Sequence, residues 1–130
     1  MLKAHNPETT APPLVPTYVN AMEAPAESRW LYVSGQVGVD RSGKTIQDYE
    51  GQCRQVWTNV VALLSSAEMT VNDIVKMNAY VVSGQEMAVY GRIRGEYLNG
   101  HKPASTMIAV TGLLKPEFLI EVEVIAARAK

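Results

Sequence analysis

One cysteine, Cys53, and two histidines are all the chain has of the side chains that build disulfides and structural metal sites. A lone cysteine has no intrachain partner, and two histidines alone fall short of a four-ligand zinc site. An excess of either charge is also missing. Twelve Lys and Arg stand against thirteen Asp and Glu, a formal net charge of −1, which argues against a protein held to nucleic acid by its phosphates. The longest aliphatic stretch, Val60 to Leu64, is far short of the roughly 20 residues needed to cross a bilayer. The opening MLKAHNPETTAPP lacks an apolar segment of the kind that marks a secretory signal. What is left is a chain of 130 residues, 47% hydrophobic and 19% charged. That is one soluble domain's worth of sequence, expected to be cytoplasmic, with no metal, cofactor or membrane attachment indicated.

Residues 1–13 contain Pro7, Pro12 and Pro13 and little apolar periodicity, and read as a loosely held N-terminal arm before a domain spanning 14–130. Leu14 to Met22 is expected to form a short strand, confined to an edge by Pro16. Trp30 to Val39 is a firm strand, rich in aromatic and β-branched residues and ended by the turn cluster Asp40-Arg41-Ser42-Gly43. Gly35 and Gly38 inside it call for a bulge, or for close approach by a backbone or ligand. Asp48 to Glu68 carries an apolar stripe at spacings of three and four, including Cys53, Val56, Trp57, Val60 and Leu64, the period of a long helix. In this setting Cys53 reads as a core residue. Ile74 to Val82 is a strand, Gln85 to Leu98 a second helix stopped by Asn99-Gly100, and Thr106 to Val110 and Phe118 to Ala126 two more strands. This order gives an α+β fold, a sheet with both helices on one face. The other face also carries apolar residues, so self-association is expected to cover it.

Three groups could carry chemistry. Glu121 and Glu123 lie two apart in an otherwise apolar strand, so both face one side, about 7 Å apart, with Ile120, Val122 and Val124 on the other. Such carboxylates suit proton transfer, although a solvated or ion-paired structural role is the commoner fate of such a pair. Arg94 falls among Tyr90, Met87, Tyr97 and Leu98 on the helix wheel while Arg92 points away. Its fork matches a carboxylate, or its stem is simply buried with the head at the rim. His101 sits in the loop before Ser105 and Thr106 with no acidic partner in view, and an exposed loop position fits it better than a nucleophile's base.

Tyr32-Val33-Ser34-Gly35-Gln36-Val37, Lys102-Pro103-Ala104-Ser105-Thr106 and Leu119-Ile120-Glu121-Val122-Glu123-Val124-Ile125-Ala126 together resemble the RidA/YjgF family of reactive-intermediate (enamine/imine) deaminases. The resemblance runs from about Tyr18 to the C-terminus. It implies a chorismate-mutase-like α+β fold, a homotrimer with sheets turned inward, and clefts for a small molecule between subunits. It also implies that Glu121 positions the attacking water as general acid/base, with Tyr18, Ser34 and Gly35 lining the cleft. The sequence departs from the pattern in three places: Gly91 stands where the family has a cleft-lining helix asparagine, Met107 where it has a cysteine, and the third matters most. Deaminating members carry an arginine after Pro-Ala that grips the substrate carboxylate, and here Ser105 follows Pro103-Ala104. A hydroxyl cannot reproduce a bidentate, charge-assisted grip. The expectation is therefore a substrate other than the usual 2-imino acids, with Ser105 donating a hydrogen bond to it and Arg94 as the one nearby replacement for the missing cation. A non-catalytic trimer that binds a small metabolite in the same clefts is the alternative. A ribonuclease role fits the near-neutral charge least.

Overall fold

The computed structural model describes residues 1–130. Its centre is a four-stranded mixed sheet built from β3 (Ser28–Val37), β4 (Ile74–Val82), β5 (Ala104–Val110) and β6 (Ile120–Ala129). The strand order is β3-β6-β4-β5, with β4 and β5 parallel and the other pairs antiparallel. Helices α1 (Tyr49–Ser66) and α2 (Met87–Leu98) both pack on one face of this sheet. The α+β architecture with its two helices on one side therefore follows the alternation read from the sequence.

Each element begins and ends for a local reason. Asp48 caps α1, its Oδ2 accepting from the Gly51 amide at 2.8 Å and satisfying one of the orphan donors of the first turn. Asn99 ends α2 in the left-handed region at φ 47°, with Gly100 following at φ 91°; these are the residues that tolerate such a turn most easily. Most of the stripe of α1 is sealed: Cys53, Val56, Trp57, Val60 and Leu64 are all buried, against Tyr90 and Ile93 of α2 and Met77, Ile120, Val122 and Val124 of the sheet, while Leu63 stays exposed. Burial pushes the Cys53 thiol up to about 11, so it is a neutral core side chain. On the outer side of the helix pair, Arg54–Glu96 and Arg92–Glu50 both close at 2.8 Å, which confirms that Arg92 points away from Arg94. No helix is long and apolar enough to cross a membrane.

Two expectations are corrected. Residues 1–13 are not wholly a loose arm, because Lys3–His5 forms β1, paired antiparallel with β2 (Ala21–Glu23), and His5 Nε2 lies 2.7 Å from Glu23 Oε2. Leu14 to Met22 is not one strand. Pro16 and the turns around it leave only an isolated bridge from Val19 to Ala104, and strand geometry begins at Ala21. In β4 the pairing with β6 slips between Ile74 and Lys76. This irregularity rotates Ile74 into the core beside Met77, Ala79 and Val81, while Val75 stays outside the core cluster. From Lys76 onward strict alternation returns, and Lys76, Asn78 and Tyr80 share the open face.

One residue of α1 departs from its apolar surroundings. Gln52 is fully buried, yet its amide is saturated: Nε2 donates to Ile46 O and Glu117 O at 2.8 Å each, and Oε1 accepts from Leu119 N at 2.9 Å. It thereby ties the loop after β3 and the approach to β6 onto the helix. Gly38 makes room for it, since a Cβ there would lie 2.9 Å from Gln52 Cα and 2.6 Å from its Cβ. Replacing Gln52 by Leu keeps the volume and strands three backbone groups. Each costs about 1–3 kcal/mol when buried unpaired, so Gln52→Leu is expected to lose roughly 3 kcal/mol or more in urea unfolding.

Candidate functional site

Glu121 and Glu123 stand on the open face of β6, whereas Ile120, Val122 and Val124 are buried against the helices. The alternation that the sequence implied is thus realised. In register, Glu121 lies opposite Tyr80 and Glu123 opposite Asn78 on β4, and Val37 flanks Glu121 on β3. The two acids differ in their partners. Tyr80 Oη donates to Glu123 Oε1 at 2.6 Å and Asn78 Nδ2 donates to the same oxygen at 3.1 Å. Both contacts go to Glu123 and neither reaches Glu121. The bond to Glu123 also holds the Tyr80 hydroxyl above its ordinary range, keeping it protonated as a donor.

Strand β3 meets these carboxylates at a bulge. Val33 pairs with Val124 and Gln36 with Val122, so Ser34 and Gly35 together oppose the single residue Glu123. At Gly35 the reason for glycine is direct: a Cβ there would sit 2.1 Å from Glu121 Oε2. The backbone of Gly35 and the carboxylate of Glu121 occupy neighbouring space that any larger residue would invade. Beside them a cavity of about 250 Å3 opens among Tyr32, Ser34, Lys76, Asn78, Glu123 and Ile125. Tyr32 is 72% exposed at its rim and stacks on Trp30 at 6.5 Å.

The remaining expected residues lie elsewhere. Ser105 is in register with Met77 and so projects to the helix side of β5, while Thr106 faces the open side and accepts from Lys76 Nζ at 2.8 Å. Two strands across and three residues along put Ser105 roughly 14 Å from Glu121 in the plane of the sheet. Tyr18 is half-buried, its hydroxyl accepting from Leu14 N at 2.9 Å, in a segment that runs beside the start of β5 through Val19 N to Pro103 O at 3.2 Å. Arg94 is buried on α2 and donates from Nη2 to Thr17 O at 3.0 Å. One chain therefore brings Ser34, Gly35 and Glu121 together on the open sheet face, and Tyr18 and Arg94 together at the β5 edge, with Ser105 on the strand that begins there. It does not bring the two groups to each other.

His101 is half-buried, with Nε2 2.8 Å from Ile74 O. A carbonyl can only accept, so that nitrogen carries the proton and the ring is occupied with the backbone. No group of three or more His, Cys, Asp or Glu side chains is placed to hold a metal ion. Sequence reasoning passed over Tyr80, Asn78 and Lys76, although their alternation with Met77, Ala79 and Val81 marks them as one polar face. It also passed over Gln52, whose signal is a polar residue one turn before Val56 in an apolar stripe.

At Gly35 the backbone itself accepts an alanine, and the flexible Glu121 carboxylate is what must give way. Gly35→Ala is expected to change stability by no more than about 1 kcal/mol while displacing the Glu121 side chain. The carboxyl-carbon shift of Glu121, followed by NMR beside a thermal melt, checks both halves of that expectation.

Residues 8–128 match the family described as endoribonuclease L-PSP. A RutC family protein of Pyrococcus horikoshii is 32% identical over 118 residues, covering 89% of this chain and 90% of that one. The 3-aminoacrylate deaminase RutC of Acinetobacter baylyi is 30% identical over 122 residues, covering 92% and 93%. Among solved structures, YyfB of Yersinia pestis, of the Rid protein family, superposes with a TM-score of 0.85 at 32% identity, over 98% of both chains. Matched along nearly its whole length in sequence and in fold, and with the glycine and glutamate of the resemblance in contact, the chain belongs to the RidA/YjgF family.

Proposed function

We propose that this protein hydrolyses a small reactive enamine or imine, releasing ammonia, with Glu121 as general acid/base. The observation that carries this reading is the contrast between the two carboxylates. Glu123 is held through one oxygen by Tyr80 and Asn78, whereas Glu121 stands against the bare backbone of Gly35 on the open face, free to engage a water. The similarity to a relative named as a 3-aminoacrylate deaminase supports the same class of reaction. Glu121 takes a proton from water as the water oxygen bonds to the imine carbon, and the C=N bond becomes a C–N single bond. The carboxyl then returns that proton to the nitrogen. Glu121 then takes the hydroxyl proton of the resulting carbinolamine and passes it to the amine nitrogen, so the C–N bond breaks, ammonia leaves, the carbonyl forms and the carboxylate is regenerated.

The separation of the two residue groups bears on where the substrate lies. Glu121 with Ser34 and Gly35 is on one face, and Ser105 with Tyr18 is at the far edge. They can line a common cleft only when the edge of one copy meets the sheet face of another. A homotrimer with clefts between subunits satisfies that requirement, and covers Tyr32 and Trp30 in doing so. Ser105 then offers one hydroxyl to the substrate, which favours a neutral hydrogen-bonding group over a carboxylate at that position. The ribonuclease activity named in the family description fits this chain poorly, because a formal charge of −1 gives little attraction for a polyphosphate backbone.

Ammonia release from freshly generated imines, acidic and neutral, tests the reading with wild type and Glu121→Gln side by side. Release by wild type is expected, reduced by roughly 100-fold or more in the variant, the usual scale for a general acid/base, with neutral imines turned over best. Ligand retention without release from any imine identifies a metabolite-binding protein instead.

A further inference from the structure

A second cavity lies on the opposite side of the sheet from Glu121, between the end of α2, the 16–17 loop and residues 100–102. Its volume is about 100 Å3, well below the roughly 300–1,000 Å3 of sites that enclose drug-sized ligands. The cations that line it are Arg94 and Lys102, with His101 beside them, and no carboxylate is among its walls. Arg94 is only 7% exposed. Its Nη2 is engaged by Thr17 O at 3.0 Å, but its Nε is sealed from solvent with no acceptor. A guanidinium so deeply buried normally faces a carboxylate or another anion, because desolvating the charge is otherwise uncompensated. The glutamates nearest in sequence do not supply one. Glu86 stands at the far end of α2, and Glu96 is held on the outer surface by Arg54 and Arg92.

The wall opposite is unusually bare. Gly91 and Gly95 are four apart on α2, and a Cβ built on either meets nothing within 4 Å. Glycine inside a helix is disfavoured against alanine, and no packing contact demands it here. What the two glycines do is leave the approach to Arg94 open. The end of α2 would repel an anion through its free carbonyls, but Gly95 O and Leu98 O are already taken by the amides of Asn99 and His101, at 3.0 Å each.

We propose that this cavity is a binding site for a small oxyanion, a carboxylate or a phosphate group, held by Arg94 and Lys102. The guanidinium offers the Nη N–H groups that Thr17 does not take, and the ammonium closes over the mouth. Thr17 ties the site to the segment carrying Tyr18, so an occupied cavity anchors that segment against α2. The site does not depend on the reaction proposed for Glu121.

Titration of the full-length protein with sodium acetate and with sodium phosphate, ionic strength held constant with chloride, tests it through amide NMR shifts. Saturable shifts are expected at Gly91, Gly95 and Gly100. Lys102→Ala, an exposed position, is expected to weaken binding roughly tenfold. Gly95→Leu, which favours the helix and keeps every charge, is expected to abolish it without lowering the melting temperature. Glu121→Gln is expected to leave it unchanged. Tighter binding of acetate assigns the natural ligand to carboxylates, and tighter binding of phosphate to phosphate compounds. Absence of saturable shifts with either salt overturns the site, as does undiminished binding in Gly95→Leu or loss of binding in Glu121→Gln.

Discussion

Strand β6 is hydrogen-bonded on both sides, to β3 and to β4, and the alternation of its side chains divides the molecule in two. Ile120, Val122 and Val124 are at most 1% exposed and form the floor on which α1 rests. Glu121 and Glu123, between them, are forced onto the other side. A register slip of one residue would bury two carboxylates and expose the core. The hydrophobic effect that folds the chain is therefore the same force that presents its acids, and it presents them from a strand pinned on both edges. The backbone that carries each acid therefore moves little, which fixes the point from which proton transfer is made.

Everything else about the acids is set by what lies across from β6. On the β4 side, Tyr80 and Asn78 satisfy Glu123. On the β3 side, the bulge at Ser34 and Gly35 leaves Glu121 beside naked backbone. Gln52 closes the arrangement from the helix layer, because its amide fixes Leu119 at the entry to β6 and Ile46 beyond the end of β3. A buried polar residue is costly unless fully paired, and this one is paired at both its nitrogen and its oxygen. It makes the α1 surface directional, so that the loops flanking the glutamate strand dock in one way.

Much of this was legible in the sequence. The bounds of β4, the stripe of α1, the stop at Asn99-Gly100, the core place of Cys53 and the common face of Glu121 and Glu123 all follow from period and turn chemistry acting locally. Gly35 and Gly38 announced close contacts without saying with what; the partners, Glu121 and Gln52, lie far along the chain. Features that depend on relations between layers were hidden. Periodicity placed Arg94 on the buried stripe of its helix but could not show that this stripe and Glu121 look to opposite sides of the sheet. Nor could it show that a slip at Val75 turns Ile74 inward, or that residues 3–5 pair with 21–23 across a proline-rich stretch. The motif that carries the family resemblance contributed what periodicity could not, since its residues come from segments that meet only in the folded chain.

The central claim is that Glu121 of one copy acts with the β5 edge of another. It is tested most directly by mixing two variants, Glu121→Gln and Ser105→Trp, the second filling the edge side of the cleft with a bulky ring. Each alone is expected to be inactive in ammonia release. Unfolded together and refolded as mixed oligomers, they are predicted to regain a measurable fraction of wild-type activity, because some clefts then combine an intact edge with an intact Glu121. If the refolded mixture never exceeds the sum of the separate variants while forming oligomers of native size, the shared cleft is contradicted.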